Sequence, residues 1–246
     1  MGRSGARRVR GEDLQRSVVE EPSAGGAPTS GREPVAPAEE AVLGRSDAVP
    51  ARSAPGSRRE AILDGATEMF AEHGYYGSSL REIGRHIGIS HSGMIHHFET
   101  KDVLLDGVIE RLEDHAQSAL DQVDELRTGR DALLRGLVEI WHPASLHIQL
   151  LAVLEAESVC EEHPGRYRLA RLRRVHEHTL ESCFVALAEQ GTLRDGIDPD
   201  FAGRALLAAV LNLAVREKTV RPLERRFHDD APITDLVKQV DAFLDR

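Results

Sequence analysis

Between Ser79 and Lys101 the chain concentrates small polar and basic side chains at close spacing: Ser79, Arg81, Ser90, His91, Ser92, His96, His97, Thr100 and Lys101, with Gly93 and Ile95 among them. Hydroxyls, imidazoles, a guanidinium and an ammonium are groups that hydrogen-bond base edges and phosphate oxygens. For that chemistry they must stand on an element thin enough to enter a groove. Ser79 and Glu82 have the spacing of a capping box, in which the hydroxyl accepts from the backbone three residues on and the carboxylate reaches back to the cap's own N–H. A helix therefore starts there. Leu80, Ile83 and Ile87 share one of its faces, and Gly84 leaves room for a second helix to cross closely. Gly88 supplies the left-handed residue that ends it. Ser90 caps the second helix, whose Met94 and Phe98 turn inward with Ile87 and Ile89. His91, Ser92, Gly93, Ile95 and His96 stay outward, at the front of a short polar helix whose first residues could reach base edges in a major groove. An ordinary packed helical corner has the same glycine turn, so the flanks must decide.

Upstream, Ser57 to Gly77 spells an amphipathic helix with Ile62, Ala66, Met69, Phe70 and His73 on one side and Gly74 as its stop. Downstream, Thr100 caps a long helix from Lys101 with Val103, Leu104, Val108, Leu112 and Ala116 in register. The run from Arg58 to about Leu112 resembles the N-terminal domain of the TetR repressor family. The resembling residues are Ile-Leu, Ala, Met-Phe and His-Gly-Tyr in the first helix, then Ser-Leu-Arg-Glu-Ile-Gly, Gly-Ile-Ser, and His-His-Phe-Glu-Thr-Lys-Asp-Val-Leu-Leu ending at Leu105. The resemblance implies an all-α chain, with a three-helix helix-turn-helix DNA-binding domain and a larger helical ligand-binding and dimerisation domain. It also implies a sequence-specific transcriptional regulator, a ligand-responsive repressor that binds a double-stranded palindromic operator as a homodimer. In those terms Arg81, His91 and Ser92 face bases, Gly93 permits close approach, and His96, His97, Thr100 and Lys101 face phosphates. Two positions depart from the family's habit: Ile95 stands where a phosphate-touching tyrosine is usual, and Gly84 where alanine is. A helical sensor or adaptor acting through a protein partner without operator binding is the rival reading, because the local charge is weak and Ile95 carries no hydroxyl.

The net charge of −10 is unusual for a nucleic-acid binder. Residues 1–57 balance eight Arg against eight Asp or Glu, so the deficit lies in the 23 basic and 33 acidic residues that follow. Phosphate contact depends on the local field, and Arg81, Arg85 and Lys101 against Glu82 and Glu99 leave the Ser79 to Lys101 face weakly positive. The first 57 residues hold eight of 21 Gly, six of 11 Pro and no aromatic, too little apolar surface to offset ordering entropy. The expected organisation is a disordered tail over 1–57, a helix-turn-helix domain over 58–104, and an effector-binding and dimerisation domain over 105–246. Arg3, Arg7, Arg8 and Arg10 could form an arm on DNA, although a solvated tail is the plainer expectation. Cys160 and Cys183 read as buried small apolar residues in a reducing cytosol. No run is apolar over the ~20 residues of a membrane span, and no apolar segment follows Arg7-Arg8. A cytoplasmic protein without membrane contact is expected.

Beyond the first domain the expected helices run 101–127, 130–141, 144–160, 165–190, 198–217 and 232–245. The helix opened by Asp198-Pro199 is apolar almost all round from Ala205 to Val215, so it needs cover on two sides, one of them from a second copy. Ala205, Ala209 and Leu213 with Leu236, Val240 and Phe243 of the last helix form the candidate dimer interface. Such a dimer would set two recognition helices about 34 Å apart, as a palindrome requires. Trp141, His147, Gln149 and Glu155 are candidate polar anchors of an effector pocket walled by Leu146, Ile148, Leu150, Leu151, Val153 and Leu154. Core packing suits Trp141 equally well, a helical hydrogen bond His147, and pairing with the arginines of 166–174 suits Glu155 and Glu157. With aromatics at 4%, an aliphatic or amphiphilic effector is expected. No nucleophile stands beside a base, there is no phosphate loop, and His176 and His178 fall on different helix faces, so no enzyme, metal or cofactor is expected.

Overall fold

The structure is a computed structural model that describes residues 55–224 and 231–245; the expected tail and its arginine arm lie outside them, apart from residues 55–57. Among the described residues there are ten α-helices and no strand: α1 Pro55–His73, α2 Leu80–His86, α3 His91–His97, α4 Lys101–Asp121, α5 Val123–Leu126, α6 Arg130–Glu139, α7 Leu146–Glu157, α8 Arg166–Glu189, α9 Pro199–Thr219 and α10 Ala231–Phe243. Caps and stops account for most of the ends. Gly74 leaves α1 at φ 74° while its N–H still donates to Phe70 O at 2.9 Å. Ser79, Ser90, Thr100, Ser145 and Asp198 each accept a backbone N–H in the first turn of the helix they open. No helix among the described residues is long and apolar enough to cross a membrane.

One core runs through all the long helices. Ile62 and Phe70 of α1, Leu104 and Ile109 of α4, Ile148 of α7 and Phe184 of α8 are all fully buried in it. Helix α4 buries Leu104, Leu105 and Val108, which leaves Val103 46% exposed rather than in the stripe. His73 likewise points to solvent. Because α7 stops at Glu157, Cys160 lies in the following loop and is exposed, contrary to expectation, whereas Cys183 is buried and burial pushes its thiol up to about 12.

The largest correction concerns the dimer residues. Helix α10 folds back on α9 and α6 of its own chain, so Leu236 and Val240 have no exposed surface and cannot meet a second copy. Phe243 packs edge-on against Phe184, with ring centroids 5.8 Å apart. A bridge pairs Leu193 with Leu244, and Asp245 N–H donates to Thr192 O at 3.0 Å, which pins the end of α10. Helix α9 is covered by α7, α8 and α10, leaving Ala205, Ala209 and Leu213 half-buried. Its open stripe is Phe201 (52% exposed), Ala208, Asn212 and Val215 (43% exposed).

Candidate nucleic-acid interface

Helices α2 and α3 are short enough that each depends on its cap. Ser79 Oγ accepts from Glu82 N–H at 3.2 Å and donates to Glu82 Oε2 at 2.6 Å, which holds the Glu82 carboxyl below its usual range. The carboxylate thus reaches back to the cap residue, through its hydroxyl first and its backbone N–H second. Gly88, at φ 70°, turns the chain, and Ile89 N–H closes the corner on Gly84 O at 2.7 Å. The crossing is tight: a Cβ on Gly84 would lie 2.8 Å from Ile89 O and 2.9 Å from Met94 Cγ. Ser90 Oγ accepts from Gly93 N–H at 3.2 Å and lies 3.1 Å from Ser92 Oγ. Gly93 also has a packing reason, since a Cβ there would meet Ile89 Cγ2 at 2.9 Å.

Met94 and Phe98 are buried beneath α3, while His91, Ser92, Ile95 and His96 are exposed on its outer side and His97 is half-buried. Arg81 and Arg85 are exposed on the neighbouring α2. Thr100 is exposed, and its hydroxyl accepts from Val103 N–H at 3.2 Å. Lys101 behaves differently. Its ammonium donates to Tyr75 O at 2.9 Å and Ser78 O at 3.0 Å and lies 4.0 Å from the Tyr75 ring centroid, so it ties down the turn between α1 and α2 and has one N–H left over.

Around that point lies a junction that no sequence pattern pointed to. The Tyr75 hydroxyl donates to Asp102, and burial followed by that carboxylate raises the phenol well above its ordinary range. Glu157, at the end of α7, accepts from Tyr75 N–H at 2.7 Å and Tyr76 N–H at 3.2 Å. Lys218, near the end of α9, donates to Ala71 O. His163 stands edge-on to both tyrosines; its Nδ1 accepts from Gly165 N–H at 3.2 Å, and its buried Nε2 has no partner.

The four effector candidates do not converge. Trp141 is fully buried and donates Nε1–H to His176 Nδ1 at 3.1 Å, so it is core and offers a ligand no surface. His147 stacks on His115 with ring centroids 4.9 Å apart, and Gln149 is half-buried. Glu155 accepts from Arg173 at 2.7 Å through Oε2, whereas its Oε1 is buried without a partner, and burial raises its pKa. It borders a groove of about 330 Å³ with Ala152, Ala156, Ala208 and Asn212. His176 is buried and His178 exposed, so this pair does not converge.

Residues 62–108 match the family model of bacterial regulatory proteins of the tetR family. The HTH-type transcriptional repressor AcnR of Corynebacterium diphtheriae is 30% identical over 149 residues, which cover 58% of this chain and 72% of that protein. The HTH-type transcriptional repressor Rv3405c of Mycobacterium tuberculosis is 28% identical over 184 residues, covering 70% of this chain and 94% of that protein. Among solved structures, AibR in complex with isovaleryl coenzyme A and operator DNA has a TM-score of 0.56 at 23% identity, covering 73% of this chain and 96% of that one.

Proposed function

The chain belongs to the TetR family of bacterial regulatory proteins, and from that premise we propose that it is a repressor which binds a palindromic operator as a homodimer and releases it when a small molecule occupies its body. As a sequence-specific DNA-binding transcriptional regulator it reads DNA through residues 58–104, and residues 105–246 carry effector binding and dimerisation. The observation that supports this most is the front of α3, where His91, Ser92 and His96 are exposed above a buried Met94 and Phe98, beside the exposed Arg81. In this reading Arg81, His91 and Ser92 contact bases, and His96, His97 and Thr100 contact phosphates, with Ser79, Ser90, Gly93 and Ile95 shaping the surface. Lys101 contributes mainly by holding the turn between α1 and α2.

The mate is proposed to dock on the α8–α9 face, where Val185, Phe201, Ala208 and Val215 are exposed together with the half-buried Ala205 and Ala209. Burying these apolar side chains supplies the driving force, at roughly 25 cal/mol for each Å² removed from water. The effector is proposed to be aliphatic or amphiphilic, consistent with an aromatic content of 4%. Glu155, whose Oε1 accepts no hydrogen bond, is the polar anchor the geometry favours. Regulation of transcription places the protein's work in the cytoplasm. Selection of bound sequences from random duplexes, followed by mobility shifts against salt, tests the reading. A recovered palindrome that competes with random DNA supports it, and binding without sequence preference rejects it.

A further inference from the structure

We propose that Glu157 is a positioning residue for operator binding: from the last turn of α7 its carboxylate holds the turn between α1 and α2, and so sets the angle at which α3 leaves the body. The inference rests on the operator reading above and concerns how the head is aimed. Two backbone N–H groups, of Tyr75 and Tyr76, donate to the two oxygens of this one carboxylate, at 2.7 and 3.2 Å. Bonds from N–H groups to an ionised acceptor are stronger and more directional than neutral ones. The turn is shaped to receive it, because a Cβ on Gly74 would lie 2.4 Å from Glu157 Oε1, and Gly74 itself has φ 74°. Only glycine gives both the room and the left-handed backbone.

What the carboxylate grips is close to the reading surface. The residues it holds, Tyr75 and Tyr76, lie four and three positions before Ser79, the cap of α2. Within that short span Ser78 Oγ donates to Gly74 O at 2.8 Å and Lys101 ties the carbonyls of Tyr75 and Ser78, so displacement of the turn is passed on to α2 and α3 with little slack. Lys218 grips Ala71 O one turn earlier, from α9. Besides the shared apolar core and the pairs of Arg111 with Glu60 and Asp64, the head is thus tied to the body by one anion from α7 and one cation from α9. Those helices also carry Glu155 and the open stripe of Phe201 and Val215, so a ligand or a mate that shifts either helix acts on the turn before α2 through these two side chains as well as through the core.

The test compares the full-length wild type with Glu157→Ala, Glu157→Gln and Lys218→Met on the duplex that the wild type selects from random DNA. A further set of duplexes moves the two half-sites apart or together by about one to three base pairs. Each added pair shifts a half-site by about 3.4 Å and turns it by about 34°, so spacing preference reports how firmly the heads are aimed. For Glu157→Ala we expect about tenfold weaker binding to the best-spaced duplex and near wild-type binding to the misspaced ones, with half-site sequence unchanged. Glu157→Gln, which keeps one neutral acceptor, should fall between, and Lys218→Met, which keeps the apolar stem, should also broaden the preference. A spacing preference as sharp as the wild type's overturns the inference, whether overall affinity is unchanged or uniformly lower, since lost stability alone reduces binding at every spacing alike. If Glu157→Ala does not fold, sharp preferences in both other variants overturn it equally. A wild type that selects no duplex rejects the operator reading itself, and this inference falls with it.

Discussion

Single atoms decide the fate of several residues in the head. Arg81 is exposed beside α3, and Arg81→Ala is expected to cost about 1–3 kcal/mol on the selected operator and little on random DNA, measured by competition binding. Lys101→Ala should behave unlike the loss of a simple phosphate contact. It frees two carbonyls and removes a cation from the Tyr75 ring, so urea unfolding should show a loss of about 1–3 kcal/mol alongside weaker binding. An unchanged midpoint would return Lys101 to the phosphate role. Gly84 sets two effects against each other. Alanine there gains up to about 1 kcal/mol of helix propensity, but its Cβ would sit 2.8 Å from a backbone oxygen, and overpacking of that kind costs about 1–3 kcal/mol. Gly84→Ala is therefore expected to destabilise on balance, even though alanine is the family's usual choice, and a raised urea midpoint would contradict this.

Among the elements, α3 is not self-sufficient, because seven residues cannot form a stable helix alone in water. Its Ser90 cap should be worth about 1 kcal/mol, and Ser90→Ala should weaken operator binding in proportion to its effect on stability. Helices α9 and α10 separate folding from association. Leu236 has no exposed surface, so Leu236→Ala should cost about 2–5 kcal/mol of fold stability and leave the dimer constant near wild type at temperatures where the protein is folded. Val215 is 43% exposed on the open stripe, so Val215→Glu should leave unfolding nearly unchanged while shifting sedimentation towards monomer. Reversed outcomes would place the mate on α10 instead.

At the scale of the whole molecule, α4, α7 and α8 meet around three histidines and the single tryptophan. Burial, then the neighbouring His115, lowers His176 to about 4; burial also lowers His115 and His147, with His147 next in effect on the former and Arg111 on the latter. A histidine with a depressed native pKa is held neutral by folding. Its contribution is complete above the unfolded value of about 6.5 and is lost as pH falls from there towards about 4, up to about 3 kcal/mol for His176. Unfolding midpoints followed by Trp141 fluorescence should drop across that window, and His176→Gln should flatten the drop. How far such features could be read beforehand follows from their range along the chain. Caps at Ser79, Ser90, Thr100 and Asp198 and glycine stops at Gly74 and Gly88 act on backbone groups within a turn, so residue order alone determined those helix ends and the outward front of α3, whereas the helix expected over 101–127 breaks at Gln122 into α4 and α5. The all-round apolar run of α9 and the apolar stripe of α10 were equally plain, but an apolar face states only that it must be covered. Packing decided that α10 covers its own chain, that Lys101 turns inward, and that Glu157 reaches Tyr75 across 82 positions, because which faces and charges meet depends on all the helices settling together in three dimensions.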